Sequence, residues 1–160
     1  MRIIGIDPGT GILGFGVVDF RRGGNKFKMV TAGVITTPAH TPTDERLEEI
    51  FNSLTEIINE TKPDVMSIEK LFFARNVTTA ISVAEARGVA MLTGRRAGMS
   101  IAEYTPLQIK QTLTGYGKAD KKQIQEMVRL NLGLTEAPKP DDCADALAAA
   151  ITHAAMSRLA

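Results

Sequence analysis

Five acids stand where carboxylate chemistry could gather. Asp7 interrupts the hydrophobic run "MRIIGIDPGTGILGFGVVDF", Glu69 closes the apolar stretch "DVMSIEK", and Asp141, Asp142 and Asp145 open the alanine-rich segment "DDCADALAAAITHAAMSRL". No cation lies near Asp7 in the sequence. Three or four carboxylates collected without a lysine or arginine among them would repel one another until some held protons. Divalent cations remove that difficulty. An oxygen-only ligand set suits Mg²⁺ or Mn²⁺, which keep waters and take substrate phosphates as further ligands. Acids delivered from two strand ends and a late helix are the parts that a two-metal phosphodiester site requires.

The elements that would deliver them follow from periodicity. "RIIGID" reads as a strand ending at Asp7, "PGTG" as a turn, "LGFGVVDF" as a second strand closed by "RRGGNK", and "KFKMVTAGVITT" as a third. These three form an antiparallel meander. Residues 43–60 place Leu47, Ile50, Phe51, Leu54, Ile57 and Ile58 on one helical stripe. "DVMSIEK" is a buried strand ending in Glu69, a second helix covers 76–95, and "MSIAEY" is a fifth strand. Two helices follow near 106–113 and 119–131, and Gly133, Pro138 and Pro140 break the chain before the last one. The expectation is an α/β protein with a five-stranded mixed sheet, antiparallel over its first three strands and parallel beyond them. No internal repeat or low-complexity segment is present.

Simpler readings compete for each acid. Asp in a first helical turn caps free amides and complements the helix dipole, which accounts for Asp141 and can account for Asp142. It does not suit Asp145, which lies a turn further in beside Ala146 and Ala149. Asp141 and Asp145 are about 40° apart around a helix and Asp142 and Asp145 about 60°, so either pair could face one point. Asp7 could instead serve as an Asx turn before Pro8 and Gly9. His153, on an alanine-rich helical face, reads as a satisfied core residue, and His40 carries no signal. Cys143 reads as a small buried apolar residue.

Composition bounds the rest. The chain has 160 residues, 44% hydrophobic and 23% charged, which fits one globular domain over 1–160 that buries roughly two thirds of its unfolded surface. No run could span a bilayer and the N-terminus lacks a signal-peptide layout, so a soluble cytoplasmic protein is expected. One cysteine excludes an internal disulfide and a Cys-rich zinc site. Net charge is only +1, but residues 70–122 hold nine Lys or Arg against three acids. That excess is the footprint of a phosphate-contacting face, or else a solvated surface.

The motifs "GIDPGT", "SIEKLFFARN", "AEARGVA", "QIKQTLTGYGKADKKQI" and "DDCADALAAAITH" closely resemble, in order and across nearly the whole chain, the bacterial RuvC family of Holliday junction resolvases. The resemblance implies an RNase H-like fold, a homodimer, and metal-dependent cutting of two opposed strands of a four-way DNA junction. It implies an acidic tetrad of Asp7, Glu69, Asp142 and Asp145 holding two Mg²⁺ ions, with Mn²⁺ able to substitute, and so picks Asp142 over Asp141. Lys110 and Lys121 match family lysines near the scissile phosphate, and Phe72 matches an aromatic near the branch point. Arg75, Asn76, Arg87, Lys118 and Lys122 are expected among the DNA contacts. Products with 5′-phosphate and 3′-hydroxyl ends, a part in recombination and repair, and partnership with a branch-migration motor are implied as well. One departure is visible: relatives usually read G-Q-A-R-G where this chain has "AEARG", so Glu85 puts a negative charge on a helix expected to approach DNA.

Two other readings share these features. Sugar kinases and actin-like proteins also carry Asp-x-Gly-Thr, as in "DPGT", but need two lobes and an adenosine site, for which 160 residues leave no room. A non-catalytic DNA-binding module of the same fold would be favoured by loss of a tetrad acid, and none is missing.

Overall fold

The computed structural model describes residues 1–21, 23, 26–71 and 77–157. Its strands are β1 (Arg2–Asp7), β2 (Ile12–Arg21), β3 (Lys26–Thr36), β4 (Val65–Glu69) and β5 (Ser100–Tyr104). Its helices are α1 (Thr43–Thr61), α2 (Val77–Arg96), α3 (Pro106–Thr114), α4 (Lys121–Leu132) and α5 (Asp141–Met156). The strands form one sheet in the order β3-β2-β1-β4-β5. Strands β1 to β3 pair antiparallel, while β4 pairs parallel with both β1 and β5, which is the mixed sheet expected.

Alternation along the strands divides the core into two layers. Ile4, Ile6, Leu13, Val17, Met66 and Ile68 face α1 and α2, where Ile50, Leu54 and Ile58 cover them at a four-residue helical repeat. Ile3, Val18 and Phe20 face the other way, against α3, α4 and the alanine-rich α5. Alanine suits α5 because the helix lies directly on the sheet: nearly every position from Ala146 to Ala150 is fully buried. Here helix and strand backbones approach as closely as they can.

Element ends follow local chemistry. Helix α3 begins at a capping box in which Thr105 accepts from the Gln108 amide and the Gln108 side chain accepts from the Thr105 amide. Asp120 and Gln123 make the same box for α4, so that helix starts at Lys121 rather than at 119 as periodicity alone suggested. Gly133, at φ 63°, ends α4 in the left-handed region that glycine enters at no cost. Helix α5 has no such cap: its N-cap is Pro140, with no side-chain cap hydrogen bond, but Asp141 and Asp142 both lie in its first turn, where they complement the helix dipole as the first-turn reading expected. Among the described residues no helix is long and apolar enough to cross a membrane.

Candidate active site

The strand period decides which way the first two acids point. In β1, Ile4 and Ile6 pack under α1 and α2, so Ile3, Gly5 and Asp7 face α5. Strand β4 repeats the pattern: Met66 and Ile68 lie on the α1–α2 side, and the Ser67 hydroxyl donates to the Ala149 carbonyl of α5 at 2.7 Å. Glu69 therefore projects toward α5. Ile6 pairs with Ile68 across the parallel ladder, so Asp7 and Glu69 come one residue later, side by side at the C-terminal ends of adjacent strands.

Two glycines seat α5 against them. A Cβ at Gly5 would lie 1.9 Å from the Ala146 carbonyl oxygen, and one at Gly14 would lie 2.2 Å from that of Asp142. Only glycine fits at either place. Gly14 is also the cross-strand partner of Asp7, so the first turn of α5 is laid beside Asp7 with Asp142 against the sheet. Asp145 follows one turn on, half-buried. Asp141 stays exposed, accepts from Gln125 Nε2 at 2.9 Å and pairs with Lys121.

Burial and mutual repulsion act on the group together. Desolvation is the main cause that pushes Asp7 up to about 7, with Asp145, Glu69 and Asp142 adding to it and Lys121 opposing. Burial likewise raises Glu69, helped by Asp145 and opposed by Lys110. It raises Asp145 too, against the relief that Lys121 supplies. The Lys121 ammonium lies 3.2 Å from Asp145 and 3.3 Å from Asp141. Desolvation works against its charge, yet these two carboxylates leave its pKa raised. The acids are thus not without a cation, because the start of α4 brings Lys121 to Asp145 from 24 residues away.

As they stand, no three Asp, Glu, His or Cys side chains among the described residues converge on one point. The donor set is nevertheless all oxygen, crowded and underneutralised, which is the chemistry a hard divalent cation relieves.

Other residues singled out by sequence divide into three groups. Lys110 is near enough to Glu69 for its charge to oppose the rise that burial causes there. Lys118 and Lys122 are exposed, the latter beside Tyr116, Gln123 and Met127 on a groove flanking the start of α4. Arg87 is turned inward: its Nε donates to the Glu69 carbonyl at 2.9 Å and its guanidinium pairs with Glu103. Phe72, Arg75 and Asn76 lie outside the described residues. The basic stretch is not one face, because α2 leads back to Ser100 at the start of β5 and carries Arg95 and Arg96 to the end of the sheet away from Asp7. Glu85 is exposed on α2, Cys143 is buried, and His153 Nδ1 is 2.9 Å from the Tyr104 hydroxyl, as a satisfied core residue would be.

Sequence reasoning missed two supports. Thr10 is buried, its hydroxyl donating to the Ser82 carbonyl of α2 and its carbonyl accepting from Thr37, so the turn after Asp7 is tied down on two sides. The Arg87–Glu103 pair behind Glu69 was also unread. Both join residues far apart in the chain, and neither leaves a local signal.

Comparison with known proteins bears on the chain as a whole. The family profile described as crossover junction endodeoxyribonuclease RuvC matches residues 3–153. The protein of that name from Brevibacillus brevis is 55% identical over 154 residues, covering 96% of this chain and 92% of the relative. The one from Chloroflexus aurantiacus (strain J-10-fl) is 52% identical over 154 residues, covering 96% and 93%. Among solved structures, Thermus thermophilus RuvC in complex with Holliday junction substrate superposes with a TM-score of 0.94 at 38% identity, over 99% of this chain and 96% of that one. The yeast mitochondrial Holliday junction resolvase Ydc2 shares the fold at 13% identity, with a TM-score of 0.68 over 98% of this chain and 78% of that one. With an RNase H-like sheet and matches of this extent, the chain belongs to the RuvC family of crossover junction endodeoxyribonucleases.

Proposed function

We propose that this chain resolves four-way DNA junctions by paired, symmetric, Mg²⁺-dependent phosphodiester hydrolysis, leaving 5′-phosphate and 3′-hydroxyl ends, in recombination and repair in the cytoplasm. Family membership supports the reaction, and the T. thermophilus relative has been solved with a Holliday junction substrate. The observation that carries the mechanism is the shared side of the sheet that takes Asp7, Glu69, Asp142 and Asp145, where burial first and the neighbouring acids second push Asp7 up to about 7.

In this reading residues 1–160 act as one nuclease domain, and Asp7, Glu69, Asp142 and Asp145 hold two Mg²⁺ ions, which Mn²⁺ can replace. Bound there, the cations supply an activated water for in-line attack and stabilise the leaving 3′ oxygen. The protein's own part is to hold the acids ionised and in place. Asp7 must give up the proton that burial encourages it to keep before it can ligate. Lys121, once free of Asp145, remains beside Asp141 at the edge of the site, where its ammonium meets a phosphate oxygen. Lys110, already acting on Glu69, adds a second positive charge there. Partial burial of Lys110 makes its charge count for more than it would in water, whereas Lys121 is exposed.

DNA contact falls to Phe72 at the branch point, to Arg75 and Asn76, and to the exposed Lys118 and Lys122. A homodimer presents two such sites to opposed strands, and a branch-migration motor delivers the junction. The test is an end-labelled four-way junction, with a linear duplex of the same sequence beside it, incubated with and without Mg²⁺ and mapped for cuts. Symmetric, ligatable nicks in opposed strands of the junction alone, dependent on the cation, are expected. Equal cutting of the duplex, or cutting in chelator, would contradict the reading.

A further inference from the structure

The carboxylate of Glu69 faces α5, but the peptide behind it is gripped from the other face of the sheet. Arg87 lies on α2, on the side where Met66, Ile68 and Ile101 pack, and its side chain is only 15% exposed. Its Nε–H donates to the Glu69 carbonyl oxygen at 2.9 Å while a terminal nitrogen of the same guanidinium pairs with Glu103 of β5. The next peptide is held from β5, since the Lys70 amide donates to the Tyr104 carbonyl at 2.8 Å. The end of β4 is open on one side only: its ladder with β1 stops at Ile68, while Glu69 is still paired with Tyr104 of β5, so the Arg87 bond adds a hold that the β1 side does not supply.

We infer that Arg87, seated by Glu103, is a positioning residue that fixes the backbone at Glu69 and thereby aims its carboxylate, and that it is not a DNA contact. The guanidinium suits this task because its planar fork binds a carbonyl and a carboxylate at once. An ammonium at the same place offers a point charge on a flexible stem and cannot keep both partners in one geometry. Outer partners of this kind orient metal-binding side chains, and their loss typically lowers metal affinity or activity about 10- to 100-fold.

The inference rests on Glu69 being one of the cation-holding acids, and the experiment separates the two claims. Full-length Arg87→Gln, Arg87→Lys, Glu103→Gln and Glu69→Gln are compared with wild type by single-turnover cutting of saturated junction, junction affinity against salt in chelator, and Mn²⁺ titration of the DNA-free protein by calorimetry. For Arg87→Gln, cutting should fall roughly 10- to 100-fold and half-saturating Mn²⁺ should rise. Junction affinity in chelator and its salt slope should stay as in wild type. Arg87→Lys should not rescue, and Glu103→Gln, which keeps the fold's own hydrogen bond, should shift Mn²⁺ the same way by less. A salt slope flattened by about 0.9 in Arg87→Gln, with cutting and Mn²⁺ binding unchanged, would make Arg87 a phosphate contact and overturn the inference. If Arg87→Gln does not fold, an unshifted Mn²⁺ titration in Glu103→Gln overturns it instead. Unchanged Mn²⁺ binding in Glu69→Gln would sink the proposed site itself; normal Mn²⁺ binding in Arg87→Gln beside loss in Glu69→Gln would sink the positioning role alone.

Discussion

Gly14 and Asp142 are in backbone contact: a Cβ on Gly14 would stand 2.2 Å from the Asp142 carbonyl oxygen and 3.0 Å from the Asp142 Cβ. Because Gly14 is paired with Asp7 across the β1–β2 ladder, that contact sets the distance between acids of the first strand and the last helix. Gly14→Ala should push α5 off the sheet. The expected cost is about 1–3 kcal/mol of stability, as for other overpacked sites, and a melting temperature lower by roughly 2–12 °C for a chain of this size. Cutting of saturated junction should drop by more than the folded fraction does. Activity that tracks the folded fraction would show that the helix can shift without disturbing the acids.

A buried, elevated carboxyl makes a stability prediction with a definite sign. Asp7 titrates at about 7 in the folded protein against 3.8 as a free side chain, so folding favours its protonated form. Below the unfolded value there is no penalty. As pH rises from 3.8 toward 7 the folded state loses stability relative to a neutral side chain, and above 7 the loss is complete. Asp7→Asn in chelator should therefore be more stable than wild type at pH 8, by up to about 4 kcal/mol, with the gap closing toward pH 4. Thermal melts across that range decide it: a gap that is constant, or widest in acid, contradicts the burial of Asp7. Saturating Mg²⁺ should stabilise wild type and leave Asp7→Asn nearly unmoved.

The lysines should separate by position. Lys121 lies among the acids, so Lys121→Ala should mainly slow cutting of bound junction, while exposed Lys118→Ala should weaken binding and flatten the slope of log affinity against log salt by about 0.9. Arg96→Ala, at the far end of the sheet, should change neither. A flattened slope for Arg96→Ala would extend the DNA footprint around the whole domain.

Much of this architecture is visible in the sequence because it rests on short periods. Alternation in "RIIGID" and "VMSIE" leaves Asp7 and Glu69 on the faces opposite Ile6 and Ile68, and that is where the strands put them. What could not be read depends on contacts between distant segments. Helical angles cannot choose between Asp141 and Asp142; the packing of α5 on Gly14 turns Asp142 to the sheet and leaves Asp141 to Lys121 and Gln125. Arg87 looked like part of a basic surface until the fold set it behind Glu69. The start of α4 was legible and overlooked: Asp120 with Gln123 three residues on is a capping box.

Ser67 offers a check on the seat of α5 that leaves every acid intact. Its hydroxyl is fully buried and donates to the Ala149 carbonyl, a polar tie between β4 and that helix. Ser67→Ala should cost about 1–2 kcal/mol, since the carbonyl loses its side-chain donor in a dry site. Melting by denaturant gives the number, and no measurable loss would mean the helix is held by apolar packing alone.

The central claim is that four particular carboxylates, and not their neighbour, form the reacting centre. Single-turnover cutting of an end-labelled four-way junction in Mg²⁺, measured for Asp7→Asn, Glu69→Gln, Asp142→Asn, Asp145→Asn and Asp141→Asn with binding verified in chelator, tests it most directly. The four tetrad variants should bind the junction as well as wild type or better and fail to cut it. Asp141→Asn should cut within about 5-fold of wild type, because the exposed pair it removes is worth at most about 1 kcal/mol. Substantial cutting by any tetrad variant, or loss of cutting in Asp141→Asn while Asp142→Asn survives, would contradict it.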